Sequence, residues 1–181
     1  MAKIFLWRKR KVFKMRLWGK MHMQVVQLVT GIEAPHFELP DCEMKTVSLA
    51  ALQGRKNVVL YFYPRDDTPG CTLEANEFSA LEHEFSKLDT VVIGVSRDDC
   101  LSHASFRDKY GLSVWLLSDP DARVCKRYGV MYEKEVDGQK KLSIKRSTFV
   151  IDKHGKLRHV MYGVQAHGHA QEILNLIKDT K

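Results

Sequence analysis

The stretch that decides the fold is NVVLYFYPRDDTPGCTLEANEFSALEHEFSKL, residues 57–88. Its first seven residues are almost all apolar and do not alternate with polar ones, which is typical of a strand covered on both faces. Pro64 ends that strand, and the loop RDDTPG follows. Apolar residues then recur at near-helical spacing, at Leu73, Phe78, Leu81, Phe85 and Leu88. The sequence therefore predicts a buried strand, a loop and a helix over residues 71–88.

Strands and helices continue to alternate along the rest of the chain. Turn residues around Pro35 and Pro40 precede the first buried strand, and Gly111 and Gly129 close two later helices. This alternation predicts an α/β fold with one central sheet. The predicted strands are 90–96, 114–117, 147–152 and 156–163, the predicted helices are 98–111, 119–129 and 169–178, and a polar connection spans 133–141.

The length and composition are those of one globular domain with an extension. A chain of 181 residues suits one core, since domains peak near ~100 to 150 residues. The hydrophobic fraction of 44% and the charged fraction of 28% exclude collagen-like, wholly disordered and multispan membrane classes. We assign residues 25–181 to the domain and residues 1–24 to a basic extension outside its core.

The net charge of +7 comes from the start of the chain. Residues 1–20 hold eight Lys and Arg and no acidic residue, which leaves 21 of the 29 basic residues against 22 acidic ones elsewhere. A body with a net charge of −1 has no basic stripe for a nucleic-acid backbone. We therefore expect no nucleic-acid partner.

Three interpretations of the basic extension remain open. It could be an amphipathic helix that contacts an anionic membrane, an acid-free organellar targeting peptide, or an upstream segment with Met21 or Met23 as the true start. It contains no uninterrupted apolar run of the secretory kind. The four cysteines form no CxxC motif, so we expect free thiols in a reducing, cytoplasmic compartment.

One cysteine stands where a helix is predicted to begin. The helix dipole and the free N–H groups of a first turn would stabilise the thiolate of Cys71. The hydroxyl of Thr68, three residues earlier, could donate to that sulfur or to a substrate oxygen, while Pro64 and Pro69 restrict the loop and shield it from water. The alternative is that Cys71 is only a small buried apolar residue.

Residues Pro64, Thr68 and Cys71 match the Pro-x-x-x-Thr-x-x-Cys pattern of the peroxiredoxins. With FYPRDDTPGCTLEA, IGVSRDD, SH and RSTFVID in this order, the chain resembles the peroxiredoxin Q or bacterioferritin-comigratory-protein subfamily from about Ala34 to its C-terminus. The resemblance implies a thioredoxin-like fold, with a central mixed sheet flanked by helices. It also implies a thiol-specific peroxidase that reduces hydrogen peroxide and organic hydroperoxides, with an antioxidant role in cell redox homeostasis.

The resemblance also assigns roles to residues. Cys71 would be the peroxidatic nucleophile that becomes a sulfenic acid, Thr68 would bind the peroxide, Pro64 would shield the pocket, and Arg146 would be the arginine of the RSTF block. From composition alone, Arg146 could equally be a solvated cation near Lys145. Glu74, one helical turn after Cys71, could hold that guanidinium by a bidentate contact or could complement the helix dipole.

The resolving cysteine departs from the family pattern. Many members carry it five residues after the nucleophile, where this chain has Asn76, and others carry it at the position of Arg107. Cys100 is the candidate resolver, but a single-cysteine mechanism with an external thiol remains open, and so does resolution by Cys42 or Cys125. Cys125 is more simply interpreted as a packing residue. We expect thioredoxin, glutaredoxin or a small thiol as reductant, and a monomer or weak dimer.

No cofactor or metal is expected. His154, His159, His167 and His169 have no carboxylate or cysteine at a ligand-like interval, so we expect them at the surface or at helix caps. Two rival functions remain open: a thiol-disulfide oxidoreductase, which normally needs two cysteines two residues apart, and a non-catalytic peripheral protein that binds through its basic tail.

Overall fold

The computed structural model describes residues 27–136 and 138–179. Its main sheet has the strand order β5-β4-β3-β8-β9, and two small two-stranded sheets pair β1 with β2 and β6 with β7. The elements are β1 (Glu38–Pro40), β2 (Thr46–Ser48), α1 (Leu49–Leu52), β3 (Asn57–Phe62), α2 (Pro69–Ala80), α3 (Glu82–Lys87), β4 (Thr90–Ser96), α4 (Cys100–Tyr110), β5 (Trp115–Ser118), α5 (Arg123–Arg127), β6 (Met131–Val136), β7 (Gln139–Ile144), β8 (Ser147–Ile151), β9 (Leu157–Tyr162) and α6 (His169–Asp179).

The sheet is mixed, as predicted. Strands β3, β4 and β5 are parallel, whereas β8 and β9 are antiparallel to their neighbours. Strand β3 is central and is buried on both faces: Leu60 and Phe62 pack into one core cluster, and Val59 and Tyr61 pack into the other. This explains why its sequence shows no alternation of polar and apolar residues.

The topology brings distant segments together at one end of the sheet, where the parallel strands have their C-termini. Strands β3 and β4 both end there, at Phe62 and Ser96. Strand β8 begins at the same end, because Ser147 pairs with Phe62 in the antiparallel ladder. The loop before α2, the loop before α4 and the residue before β8 therefore meet at this end of the sheet.

Two predicted helices differ in their bounds. The helix expected over 71–88 begins at Pro69 and divides into α2 and α3 at Leu81, whose φ of −100° and ψ of 3° interrupt the regular helix. The helix expected over 119–129 is shortened to α5, because Ala122 adopts a φ of +55°. Asp119 nevertheless caps it, by accepting hydrogen bonds from the backbone N–H groups of Arg123 and Cys125 at 2.9 and 2.8 Å.

The prediction that residues 133–141 form a polar connection between regular elements is wrong. Strands β6 and β7 pair there as an antiparallel hairpin, with Glu133 opposite Leu142 and Lys134 opposite Lys141. Its charged residues are exposed and gave no apolar alternation from which strands could be predicted.

The predicted basic extension, residues 1–24, lies outside the described residues, so its separation from the core stays a prediction. Among the residues that the structure describes, no helix is both long enough and apolar enough to cross a membrane.

Candidate active site

Cys71 lies in the first turn of α2, as predicted. Thr68 is the N-cap residue of this helix, Pro69 occupies its first position, and Cys71 is its third residue. The N–H groups of a first helical turn have no acceptor within the helix, and the positive end of the helix dipole is located there. The thiol is only 2% exposed, so the surrounding donors act on it with little competition from water.

Arg146 contacts both Cys71 and Glu74. Its Nη2 lies 3.3 Å from the Cys71 sulfur, and its Nη1 forms an ion pair with Glu74 Oε2. The Arg146 side chain is 15% exposed, and burial among Glu74 and Cys71 excludes the interpretation of Arg146 as an ordinary solvated cation. The guanidinium thus brings one fixed positive charge to the sulfur.

Glu74 is a fully buried carboxyl group. Burial raises its pKa to about 7, although the neighbouring Arg146 guanidinium opposes that shift. Its Oε2 binds Arg146, whereas its Oε1 has no hydrogen-bond partner among the described residues. Of the two roles left open for Glu74, the contact with Arg146 is present but is not bidentate: one carboxylate oxygen binds one guanidinium nitrogen, and the other nitrogen contacts Cys71.

Thr68 and Pro64 lie in the loop before α2. The Thr68 hydroxyl donates to the backbone carbonyl of Arg65 at 3.1 Å and makes no capping bond to the helix. Pro64 follows the last residues of β3 and is exposed. Neither side chain has a hydrogen bond to Cys71, so their predicted roles toward a bound peroxide stay predictions.

The four cysteines are separate thiols. Cys100 is half-buried at the first position of α4, where it was expected. Cys125 is fully buried in the core, as expected of a packing residue, and burial beside Asp119 raises its pKa. Cys42 is half-buried, and its sulfur accepts a hydrogen bond at 2.8 Å from Arg107 Nη1.

Sequence reasoning missed three buried residues beside this site. Asp66, in the loop before α2, and His103, on α4, form a hydrogen-bonded pair with 7% and 0% exposure. Asp66 lies in the block FYPRDDTPGCTLEA and His103 in the block SH. Both blocks support the family resemblance, but neither residue was assigned a role. A third, Tyr61, lies on β3 with its buried hydroxyl unpartnered among the described residues.

Of the four histidines that were weighed as ligands, His169 is buried. It begins α6, and its ring nitrogens lie 2.8 Å from Thr148 Oγ1 and 3.2 Å from Glu172 Oε2. Burial lowers its pKa, and Glu172 opposes that shift. Within residues 27–136 and 138–179, no group of three or more His, Cys, Asp or Glu side chains is arranged to hold a metal ion.

A family model matches this chain over residues 30–160, under the description AhpC/TSA family. A protein of Coxiella burnetii, whose name places it among the bcp peroxiredoxins, is 45% identical over 149 residues, which are 82% of this chain and 98% of that protein. Peroxiredoxin Bcp of Bacillus subtilis is 40% identical over 82% of this chain and 94% of its own length.

Comparison with solved structures leads to the same family as comparison of sequences. A bacterioferritin comigratory protein of Xanthomonas campestris superposes with a TM-score of 0.78 at 35% identity, covering 84% of this chain and 99% of that one. A cysteine-to-serine mutant of the PrxQ of Xylella fastidiosa gives a TM-score of 0.81 at 34% identity, over 86% and 98% of the two chains. The thioredoxin-like fold is thereby confirmed, and the chain belongs to the AhpC/TSA family, in its peroxiredoxin Q or bacterioferritin-comigratory-protein branch of thiol peroxidases.

Proposed function

We propose that Cys71 is the nucleophile with which this peroxidase attacks hydroperoxides. The observation that carries the proposal is the 3.3 Å contact between Arg146 Nη2 and the Cys71 sulfur at the start of α2. A helix N-terminus stabilises a negative charge by up to ~2 kcal/mol, and a hydrogen bond to a charged group contributes about 1.5 to 3 kcal/mol. Both contacts place positive charge and N–H donors at the sulfur, and the thiolate is the reactive form of cysteine.

In the chemical step, the thiolate of Cys71 attacks the nearer oxygen of the peroxide. A sulfur–oxygen bond forms and the O–O bond breaks, and its electron pair leaves with the farther oxygen as hydroxide or alkoxide, which takes a proton. The sulfur is oxidised to a sulfenic acid and the peroxide is reduced to water or an alcohol. Negative charge thus moves across the O–O bond, and donors fixed along its path lower the barrier.

The donors for that charge come from the site described above. Arg146 already donates to the sulfur and can shift its hydrogen bond to a peroxide oxygen that approaches it. The N–H of Cys71 belongs to the first turn of α2, which offers donors without intrahelical acceptors. The Thr68 hydroxyl would exchange the Arg65 carbonyl for a peroxide oxygen by rotation about its C–O bond. Pro64 would limit access of water.

The sulfenic acid is returned to the thiol by a thiol reductant, which we propose to be thioredoxin, glutaredoxin or a small thiol. Two routes are compatible with the sequence: an external thiol attacks the sulfenic acid directly, or Cys100 does so first. Resolution by a cysteine on the same helix is not possible, because the position five residues after Cys71 on α2 is Asn76. This chemistry suits the reducing conditions of the cytoplasm, and a monomer or weak dimer is sufficient for it.

The test compares Cys71→Ser with Cys100→Ser in single-turnover mixing with hydrogen peroxide. We expect Cys71→Ser to lose all peroxide consumption, while Cys100→Ser retains the wild-type rate of the first oxidation because its sulfur is not the nucleophile. Circular dichroism establishes that both variants are folded. A folded Cys71→Ser that still consumes peroxide would contradict the proposal.

A further inference from the structure

The loop before α2 is attached to α4 by a buried carboxylate. Asp66 Oδ1 accepts a hydrogen bond from Tyr63 Oη at 2.8 Å, and its Oδ2 accepts one from Ser102 Oγ at 2.8 Å. His103 Nδ1 lies 2.9 Å from Oδ2 and 3.1 Å from Oδ1. Asp66, Tyr63 and His103 are all buried, so water does not compete for these bonds.

The arrangement fixes the proton of the imidazole. We assign a hydrogen to His103 Nδ1, because both oxygens of Asp66 lie within 3.1 Å of it and an ionised carboxylate can only accept hydrogen bonds. His103 Nε2 has no hydrogen-bond partner within the described residues. The polar contacts of this fully buried ring are therefore made by Nδ1, at 2.9 and 3.1 Å to the Asp66 oxygens and at 3.4 Å to Tyr63 Oη, which itself binds Asp66.

The backbone of the loop is held at the same residue. The N–H of Asp66 donates to Asp98 Oδ2 at 2.9 Å, and that oxygen also accepts a hydrogen bond from Ser96 Oγ at 2.6 Å. Asp66 is thus fixed through its side chain and its main chain to residues that follow β4. Thr68 and Cys71 follow it by two and five residues, so its position sets where the peroxide-binding groups begin.

Asp67, the residue after Asp66, makes a second contact with α4, and this contact is exposed to solvent. Asp67 accepts hydrogen bonds from Lys109 Nζ at 2.7 Å and from Tyr110 Oη at 2.5 Å, near the other end of α4. The Asp67 and Lys109 side chains are 46% and 56% exposed. Exposed ion pairs contribute little free energy, so the buried attachment is the one that determines loop geometry.

We propose that His103 is a positioning residue for the reaction at Cys71 and acts through Asp66. Its Nδ1–H holds the carboxylate that fixes the loop, and thereby sets the placement of Thr68 and the first turn of α2 against the peroxide. The proposal rests on the peroxidatic role of Cys71. In-line attack depends on such placement, since a displacement of about 1 Å can lower a rate by ~100-fold.

The experiment compares three variants of the full chain with the wild type. His103→Leu removes the Nδ1–H donor and keeps a side chain of similar volume, whereas His103→Asn retains an N–H group near the position of Nδ1. Asp67→Asn is the matched control, because it removes the neighbouring carboxylate at the exposed attachment, and asparagine tolerates the φ of +53° found there. Each protein is mixed with hydrogen peroxide and, separately, with iodoacetamide, and both second-order rates of Cys71 modification are measured.

We expect His103→Leu to lower the peroxide rate at least tenfold while its iodoacetamide rate stays within twofold of wild type or rises. Alkylation needs a thiolate but not aligned peroxide donors, so a loss confined to peroxide reports positioning. His103→Asn should recover to within threefold of the wild-type peroxide rate, and Asp67→Asn should remain within twofold of it.

A folded His103→Leu whose peroxide rate stays within twofold of wild type would overturn the inference while Cys71 keeps its role. Equal losses toward both reagents would also overturn it, because they indicate a general loss of thiol reactivity. If His103→Leu does not fold, Ser102→Ala decides: it removes one donor to Asp66 and should lower the peroxide rate three- to tenfold, and an unchanged rate overturns the inference. A wild type without Cys71-dependent peroxide consumption would refute both proposals.

Discussion

Arg146 Nη2 donates to the sulfur of Cys71 across a separation of 75 residues in the chain. The contact arises because β8 pairs antiparallel with β3, so that the residue before β8 lies beside the loop that follows β3. The guanidinium also binds Glu74. This carboxyl group is buried, and Arg146 is its one hydrogen-bond partner among the described residues. The sulfur, the guanidinium and the carboxyl group therefore form one electrostatic unit.

The first prediction concerns the fixed charge at the sulfur. Arg146→Met should lower the rate of peroxide reduction by about 100- to 1,000-fold, the usual effect of removing one preorganised donor. It should also destabilise the protein by about 1 to 3 kcal/mol, because the buried Glu74 carboxyl group would lose its hydrogen-bond partner. Stopped-flow mixing and urea unfolding measure the two effects.

The double variant Arg146→Met/Glu74→Met separates these effects. It should recover most of the stability without recovering the rate, since no buried polar group is left unpaired but the donor to the sulfur is still missing. Lys145→Met, which removes the adjacent exposed cation, should change neither quantity. A double variant that recovers the rate would show that Arg146 acts only through stability.

The second prediction concerns the pH dependence of the site. Burial raises the pKa of Glu74 from an ordinary value near 4.5 to about 7. As pH rises through about 7, the ionised carboxylate holds Arg146 more firmly against the sulfur, so the rate should rise in wild type. Glu74→Gln should lack this component, whereas Glu82→Gln, an exposed change in α3, should retain it.

The same ionisation affects stability with the opposite sign. Because the folded pKa of Glu74 exceeds the unfolded one, the native state binds more protons between about pH 4.5 and 7, and this group's contribution to the free energy of unfolding decreases as pH rises through that window. Urea unfolding at several pH values should show a smaller decrease for Glu74→Gln. An identical slope in both proteins would contradict the raised pKa.

The third prediction concerns a close approach in the core. A Cβ on Gly94, in β4, would lie 2.6 Å from both Cζ and the hydroxyl oxygen of Tyr61, whose ring stacks on Phe78 at 4.8 Å. Gly94→Ala should therefore cost about 1 to 3 kcal/mol through displacement of this ring. In a Tyr61→Leu background the same substitution should cost less, as a double-mutant cycle by urea unfolding would show. Additive effects would mean that the ring is not displaced.

The fourth prediction concerns the resolving thiol. If Cys100 is the resolver, one equivalent of peroxide should reduce the intact mass by two hydrogens through an internal disulfide, and Cys100→Ser should instead carry one added oxygen. If an external thiol is the resolver, both proteins should carry the added oxygen. Cα atoms must come within about 7 Å for a disulfide to form, so the first outcome requires the first turns of α2 and α4 to reach that separation.

The fifth prediction concerns the basic extension. A chain that begins at Met23 should retain the wild-type rate of peroxide reduction, because Cys71, Arg146 and Thr68 all belong to the predicted domain 25–181. The peripheral-binding alternative predicts that this truncation abolishes binding to vesicles of anionic lipid, measured by sedimentation. Loss of peroxide reduction in a folded truncated chain would place the extension within the catalytic domain.

Local features of the site could be predicted from the sequence. The apolar run 57–63 identified β3, and the turn that follows it placed Cys71 at a helix start. The pairing of Cys71 with Arg146 could not be derived from spacing, since it depends on the register between β3 and β8. Only the resemblance to a family connected them.

Other features depend on tertiary packing. The hairpin of β6 and β7 has charged, exposed strands, so its pairing leaves no apolar pattern in the sequence. The contact between Asp66 and His103 joins residues 37 positions apart at the ends of parallel strands, and a histidine within a polar helix gives no sign of full burial. The sequence proposed a contact between Glu74 and Arg146 but did not predict that Glu74 is fully buried.

The order of residues along the chain has a consequence for biosynthesis. A nascent polypeptide contains residue 71 long before residue 146 has been translated, and β8 cannot pair with β3 until its own sequence has left the ribosome. Until then Cys71 lacks the Arg146 guanidinium, so on the proposed mechanism the site can reduce peroxide only after β8 has joined the sheet.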